Sequence, residues 1–277
     1  MESFCFKEFK VRQSNSAMKV NTDGVLLGAW LRIPQDAVNV LDIGTGTGVI
    51  SLIIAQRLSN VYSPTNIRNT EGKNSSFFIE AIDIDMPSVD EANYNFSQSP
   101  WAEHLRASKI SLQDFLNVKS VRDGLPPEEY LEKYDLIVSN PPYFIDSLKA
   151  PSARRSSSRH NHELPYEVII EASVTLLNKD GVLAIVLPAE EGEKFISLSS
   201  KSVETNSACE KATTLHLARR CRVKTLAWKK EKRYLLEFVK SERRPAHVEE
   251  ILIMQEKGGL EYTEQYKNLT KEFYLKF

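Results

Sequence analysis

Asn140-Pro-Pro-Tyr143 is the stretch whose residue types say most about chemistry. Two prolines fix φ and remove donors, so the Asn140 side chain and the Pro141 carbonyl stand as rigid, neighbouring acceptors. An amino group conjugated to a ring is a poor nucleophile because its lone pair is delocalised. Two fixed acceptors can hold its hydrogens and turn that lone pair toward an electrophile, which is catalysis by positioning and electrostatics. Tyr143 adds an aromatic face on which a planar group can stack, as flipped bases are held. The plainer alternative is a Pro-Pro turn with an asparagine cap.

Asp42-Ile-Gly44-Thr-Gly46-Thr-Gly48 is the second such stretch. Glycines between a strand and a helix let the backbone turn sharply and approach a ligand with no Cβ in the way. The spacing is neither the dinucleotide fingerprint G-x-G-x-x-G nor a phosphate loop, which ends in Gly-Lys-Ser/Thr. A cofactor without phosphates fits better. S-adenosylmethionine, with an adenosine, a sulfonium and an amino-acid tail, is of that kind, and Asp42 beside the glycines suits a cationic ligand. The alternative is a tight strand-to-helix turn with no ligand.

Acids at the ends of the next strands extend this site. Asp83 closes an apolar run, where a carboxylate can accept from both ribose hydroxyls. Glu80 and Asp85 are its rivals, because strand register is open at this level. Asp114 follows the third strand and is placed either to meet an adenine amino group or to cap a helix.

The elements that must position these residues alternate. Strand-like runs at Asn39–Ile43, Phe77–Asp83, Lys109–Leu112, Tyr134–Ser139 and Val182–Leu187 are separated by helical patterns, including one that begins at Ser99-Pro-Trp101 and runs to Ala107. This predicts an α/β fold: a doubly wound, mostly parallel, seven-stranded Rossmann-like sheet. Long paired strands at Thr213–Ala227 and Arg233–Val239 suggest its antiparallel C-terminal edge. Residues 60–76 and 119–132 read as surface excursions, Pro245 as a break, and Tyr262–Phe277 as a terminal helix. One domain over 1–277 is expected, with 1–35 an N-terminal extension near the cofactor site.

Bulk properties exclude little but usefully. Over 277 residues, 42% are hydrophobic and the net charge is −1, so no global field advertises a polyanionic partner. Three cysteines lack C-x-x-C spacing, and five histidines show no ligand spacing, so neither a disulfide framework nor a metal site is expected. No signal-peptide-like or membrane-spanning apolar run is seen, which makes a cytoplasmic location the expectation. Basic character is local. Arg219, Arg220, Arg222, Lys224, Lys229, Lys230, Lys232 and Arg233 face Glu231 alone within their own window, with Trp228 among them. Arg154, Arg155, Arg159 and His160 add to this near the Asn140 turn. Such a patch suits a phosphate backbone; a solvated charged hairpin is the plainer reading.

Asp42–Gly48 together with Asn140–Tyr143 resembles the class I S-adenosylmethionine-dependent N-methyltransferases. Phe4–Phe9, Gln13–Trp30, Ser99–Trp101, Arg159-His160, Cys221–Lys224 and Glu272–Phe277 are similar to a narrower group, the bacterial tRNA1(Val) adenine N6-methyltransferase family. The resemblance implies transfer of a methyl group to N6 of adenine 37, next to the anticodon of a valine tRNA. It implies that Gly44, Gly46 and Gly48 line the methionine part of the cofactor, that Asp83 binds the ribose, and that Asp114 binds the adenine end. It further implies that Asn140, Pro141 and Tyr143 hold the target base, and that Lys19, Thr22 and Asp23 border the cofactor. The two excursions are longer than the family pattern, and glutamate often stands where this chain has Asp83. Other methyl acceptors remain open: a release-factor glutamine N5, or an adenine N6 in ribosomal RNA or DNA. An RNA chaperone without turnover is the non-enzyme reading.

Overall fold

The structure is a computed structural model that describes residues 3–34, 39–61, 77–120, 134–142, 164–200, 214–259 and 261–277. In chain order the elements begin with a hairpin, β1 (Ser3–Cys5) and β2 (Lys10–Arg12), followed by α1 (Thr22–Trp30), β3 (Asn39–Ile43) and α2 (Val49–Val61). Next come β4 (Phe78–Asp83), α3 (Met86–Ser97), β5 (Leu105–Lys109), α4 (Leu112–Ser120), β6 (Tyr134–Ser139), α5 (Tyr166–Leu176) and β7 (Leu177–Pro188). The last part holds α6 (Ala189–Ser199), β8 (Thr214–Lys224), β9 (Arg233–Ser241), β10 (Val248–Ile253) and α7 (Glu264–Thr270).

The central strands are buried on both faces, as parallel strands covered by helices must be. Along β3, Val40 joins the core shared with α1, α2 and α3, while Leu41 and Ile43 join the core shared with α4, α5 and α6. This alternation makes the sheet doubly wound. Its order is β10-β8-β9-β7-β6-β3-β4-β5. Strands β3 to β7 pair in parallel, whereas β9 is antiparallel to both β7 and β8. From β3 the chain winds outward through β4 and β5, then returns to place β6 on the other side. The order therefore reverses between β3 and β6, and open α/β sheets bind ligands in the crevice at the carboxyl ends of such a pair. The register sets Ile43 opposite Ser139, so the glycine turn and the Asn140 turn leave the sheet side by side.

Three sequence expectations are corrected. Among the described residues the sheet has eight strands, not seven, because Val248–Ile253 pairs in parallel with Arg219–Lys224 of β8. The helix expected to run to Ala107 is a single 3-10 turn, Ala102–His104, after which β5 starts. Leu105 and Ala107 are drawn onto β4 as inward-facing positions, and Ile110 and Ser111, expected in the strand, lead into α4. The terminal helix is short, and the rest of the C-terminal segment is held by aromatic contacts, with Tyr274 stacked on Phe6 of the N-terminal hairpin. Both excursions fall mainly outside the described residues. No helix among those described is long and apolar enough to cross a membrane.

Candidate cofactor and amino-group site

The three glycines of the turn each have φ in the left-handed region, 73° at Gly44, 56° at Gly46 and 79° at Gly48, where a side chain is strained. Their surroundings differ. A Cβ on Gly44 would meet nothing within 4 Å, so that backbone faces open space. A Cβ on Gly48 would lie 2.5 Å from Cε1 of Phe96 on α3. Gly48 thus lets α3 pack against the turn and is absent from the cavity wall, contrary to its expected place along the cofactor. The turn is pinned to β4: the Gly44 and Thr45 N–H groups both donate to the Ile82 carbonyl, at 2.9 and 3.1 Å.

Asp42 stands behind the turn, not in the wall. It is fully buried, and its Oδ2 accepts from Thr45 Oγ1 at 2.8 Å and Ser51 Oγ at 2.7 Å. Its Oδ1 has no partner among the described residues. Burial pushes the carboxyl up to about 6, the nearby Asp83 adds to this, and the two hydroxyls pull it back. Asp42 therefore braces the turn from beneath through Thr45 and Ser51.

A cavity of about 820 Å³ opens at the carboxyl ends of β3, β4 and β6. Gly44 and Gly46 form one wall, Asp83 to Asp85 the next, Ile110 to Gln113 a third, and Ser16 to Lys19 with Asn21 the side toward the N-terminus. Asp83 faces the cavity. Its two oxygens accept from the Gly46 and Asp85 N–H groups, each at 2.9 Å. Burial raises its pKa, partly offset by those bonds. Of its rivals, Glu80 lies off the wall and accepts from the Tyr134 hydroxyl, while Asp85 lines the wall and caps α3 through Ser88.

Asp114 is not brought to the cavity. It exchanges hydrogen bonds with Ser111, its Oδ2 accepting at 2.7 Å and its N–H donating at 3.0 Å, the reciprocal capping of the first turn of α4. Ser111 and Gln113 take the wall instead. Lys19 lines the cavity, but Thr22 does not, and Asp23 is held by Arg233 at 2.6 Å. Asn21, missed in the sequence, both lines the cavity and caps α1 by accepting from Gly24 N–H at 2.9 Å. An Asn directly before a helix was its available signal.

Asn140 closes the site on the β6 side, where Ser139 Oγ donates to the Ile43 carbonyl at 2.9 Å and ties the two strand ends together. The Asn140 residue is 9% exposed. Its Nδ2 lies 4.0 Å from Met18 Sδ, and its Oδ1 is buried with no partner among the described residues. Pro141 is buried and Pro142 lines the wall; Tyr143 lies outside the described residues. Among the described residues the wall thus combines an unpartnered acceptor, an open glycine cradle, two carboxylates and one basic residue, Lys19. That set fits a cationic adenosyl ligand and a planar amino donor better than a phosphate. No group of three or more metal-ligating side chains occurs among the described residues.

The basic stretch divides in two. Its arginines are met by acids from outside their own window. Arg219 bonds to Glu250 at 2.7 Å, lies 3.3 Å from Glu237 and stacks 3.9 Å over Trp30. Arg220 is paired with Glu249 and Glu193, Arg222 lies 3.8 Å from Glu249, and Arg233 pairs with Asp23. Lys224 turns back to the Ala227 carbonyl at 3.3 Å. Arg222 Nε makes no hydrogen bond among the described residues, and the Arg222 and Lys224 side chains, both partly exposed, border the hairpin. Lys229, Lys230 and Lys232 remain exposed around Trp228, itself 70% exposed. Because Pro188 at the end of β7 pairs with Arg233, this hairpin tip projects from the same end of the sheet as the cavity. Arg154, Arg155, Arg159 and His160 lie outside the described residues.

No family model matches the chain. The tRNA1(Val) (adenine(37)-N6)-methyltransferase of Flavobacterium psychrophilum is 36% identical over 273 residues, which cover 99% of both chains. Its counterpart in Bacteroides thetaiotaomicron is 36% identical over 272 residues, 98% of this chain and 97% of the relative. Among solved structures, a predicted O-methyltransferase from Agrobacterium tumefaciens superposes with a TM-score of 0.59 at 14% identity, covering 91% of this chain and 96% of the other. The TYW2 protein of P. horikoshii in complex with MeSAdo gives 0.50 at 12% identity, covering 86% and 70%. At these identities the structural likeness speaks for the fold.

Proposed function

The chain belongs to the tRNA1(Val) (adenine(37)-N6)-methyltransferase family, and on that premise we propose that it methylates N6 of adenine 37, next to the anticodon of a valine tRNA, using S-adenosylmethionine. The observation that carries this reading is the Oδ1 of Asn140, buried without a partner among the described residues at the edge of the glycine-lined cavity. A buried acceptor left unmatched costs about 1–3 kcal/mol, so its retention argues for a donor supplied by a ligand.

S-adenosylmethionine supplies a methyl group made electrophilic by its sulfonium. The chain's own residues do the rest by placement. Asn140 Oδ1 accepts one hydrogen of the adenine amino group and the Pro141 carbonyl accepts the other, which turns the nitrogen lone pair toward the cavity. Tyr143 stacks on the base. Gly44 and Gly46 let the methionine part approach the backbone, Asp83 accepts from the ribose, and Ser111 and Gln113 take the adenine end in place of Asp114. Where ionised, the carboxylates of Asp42 and Asp83 would favour binding of the cationic cofactor over its neutral product. Lys229, Lys230 and Lys232 bind the tRNA backbone together with Arg154, Arg155, Arg159 and His160.

The test is methylation of tRNA from cells that lack this protein, with the purified chain and labelled cofactor, followed by nucleoside analysis. N6-methyladenosine at position 37 of a valine tRNA is the expected result. Ribosomal RNA, DNA and release factors from the same cells are offered in parallel; label in one of these instead of tRNA would overturn the substrate, and no transfer to any acceptor would overturn the enzyme.

A further inference from the structure

Glu91 is a carboxylate that the proposed chemistry does not use. It lies in the middle of α3 and is 0% exposed. Its hydrogen-bond donors come from one short segment. The N–H groups of Ser14 and Ser16 donate at 2.8 Å each, that of Asn15 at 3.2 Å, and Arg12 Nε at 3.3 Å. Three successive N–H groups converging on one anion form a backbone nest, here filled by a side chain from another element. One turn further along α3, Asn95 accepts from the Arg12 N–H at 2.8 Å and donates to the Arg12 carbonyl at 3.0 Å and the Thr47 carbonyl at 2.9 Å. Ser16 Oγ reaches Ser88 Oγ at 3.1 Å.

The segment so held continues directly into the cavity wall, Ser16 to Lys19 and Asn21, and Met18 is the residue beside Asn140. Its two ends are anchored independently. The β1–β2 hairpin packs by Phe6 and Phe9 into aromatic neighbours, and α1 is buried along most of its length. Loss of the nest would free the wall between these anchors without unfolding either. We propose that Glu91 is a positioning residue for the cofactor, latching residues 12–21 as a wall across the glycine turn and acting through Ser16, Met18 and Lys19. This rests on reading the cavity as the S-adenosylmethionine site. The hydrogen bonds more than offset burial and keep the Glu91 carboxyl below its ordinary range, consistent with an ionised latch.

The test is S-adenosylmethionine affinity by calorimetry on the full chain and on Glu91→Gln and Glu91→Ala, with limited trypsin digestion as the second readout. Glu91→Gln keeps an acceptor and should bind roughly 10-fold more weakly; Glu91→Ala should lose roughly 100-fold, charge-assisted bonds being the stronger kind. Trypsin should cut after Arg12 and after Lys19 faster in both variants, and the cofactor should protect those two bonds in the wild type far more than in either. Saturating cofactor should restore much of the turnover, which a global folding defect would not allow. Wild-type-like affinity and protection in Glu91→Gln, the variant safest to fold, would overturn the latch. Failure of the wild type itself to bind S-adenosylmethionine would overturn the cavity reading, and the latch with it.

Discussion

The centre of the sheet and its β8–β9–β10 edge handle buried charge in opposite ways. At the centre, Asn140 Oδ1 and Asp42 Oδ1 are buried acceptors with no partner among the described residues. At the edge, the Arg219 guanidinium is held between Glu237 and Glu250 and covers the Trp30 ring, while Arg220 and Arg233 each meet a carboxylate. Arg222 Nε is the edge's own exception, left 3.8 Å from Glu249. A matched network is what a fold needs in order to place a charge inside. An unmatched acceptor is what a site needs in order to bind something later. Sequence-level charge counting confuses the two, because Arg219, Arg220 and Arg233 are matched by acids from outside their window while Lys229, Lys230 and Lys232 stay exposed.

Removing Asn140 should have the largest effect on function and the least on stability. Asn140→Ala is expected to lower single-turnover methyl transfer about 10³-fold, as loss of a preorganised polar group does. Cofactor affinity should hold, and unfolding free energy should shift by no more than about 1 kcal/mol, because no internal hydrogen bond of ordinary length is lost. Retained turnover would remove the distinction on which the comparison rests. Arg219→Met is the mirror image. Breaking a buried pair strands Glu237 and should cost roughly 3 kcal/mol in denaturant unfolding, with kcat unchanged at temperatures where the variant is folded.

Lys229, Lys230 and Lys232 replaced together by alanine should raise the KM for tRNA about 10-fold and flatten its salt dependence, the logarithmic slope falling by roughly one per lost phosphate contact. Equal effects from Arg222→Ala would mean that paired and unpaired cations of the hairpin are not functionally distinct. The smallest effect concerns Asp42. Its folded pKa, about 6, lies above the ordinary carboxylate value. It therefore holds its proton more tightly when folded. Its contribution to stability is greatest below the ordinary pKa and declines as pH rises through about 6. A cationic ligand favours the ionised form, so S-adenosylmethionine affinity should fall severalfold as pH drops from 8 to 5, more than for the neutral sulfur of S-adenosylhomocysteine. Asp42→Asn should narrow that difference.

What the sequence disclosed was local. Gly44 and Gly46 are legible because a left-handed turn admits little else, and Asn140 because two prolines follow it. The doubly wound order follows from strand–helix alternation. What it hid depended on partners far along the chain. Asp114 and Asp23 have the types of ligand-binding residues, but Ser111 and Arg233 take them first. The acids that match Arg219 and Arg220 come from α6, β9 and β10, the last a strand whose Val-Glu-Glu-Ile-Leu-Ile sequence has no clean period. Glu91 gave no signal at all. An Asp-Glu pair in a helical pattern reads as a solvated face, and the donors to Glu91, three backbone N–H groups and Arg12 Nε, lie more than 70 positions upstream.

The hairpin tip has one more consequence, a spectroscopic one. The chain has three tryptophans. Trp30 and Trp101 are each 6% exposed, one beneath a guanidinium and the other edge-on to Phe9, whereas Trp228 is 70% exposed among lysines. Solvated indole emits at longer wavelength and is open to collisional quenchers, so the red side of the intrinsic emission belongs mainly to Trp228. The molecule thus carries its own fluorophore at the surface proposed to meet tRNA, and occupancy of that surface is readable without a label.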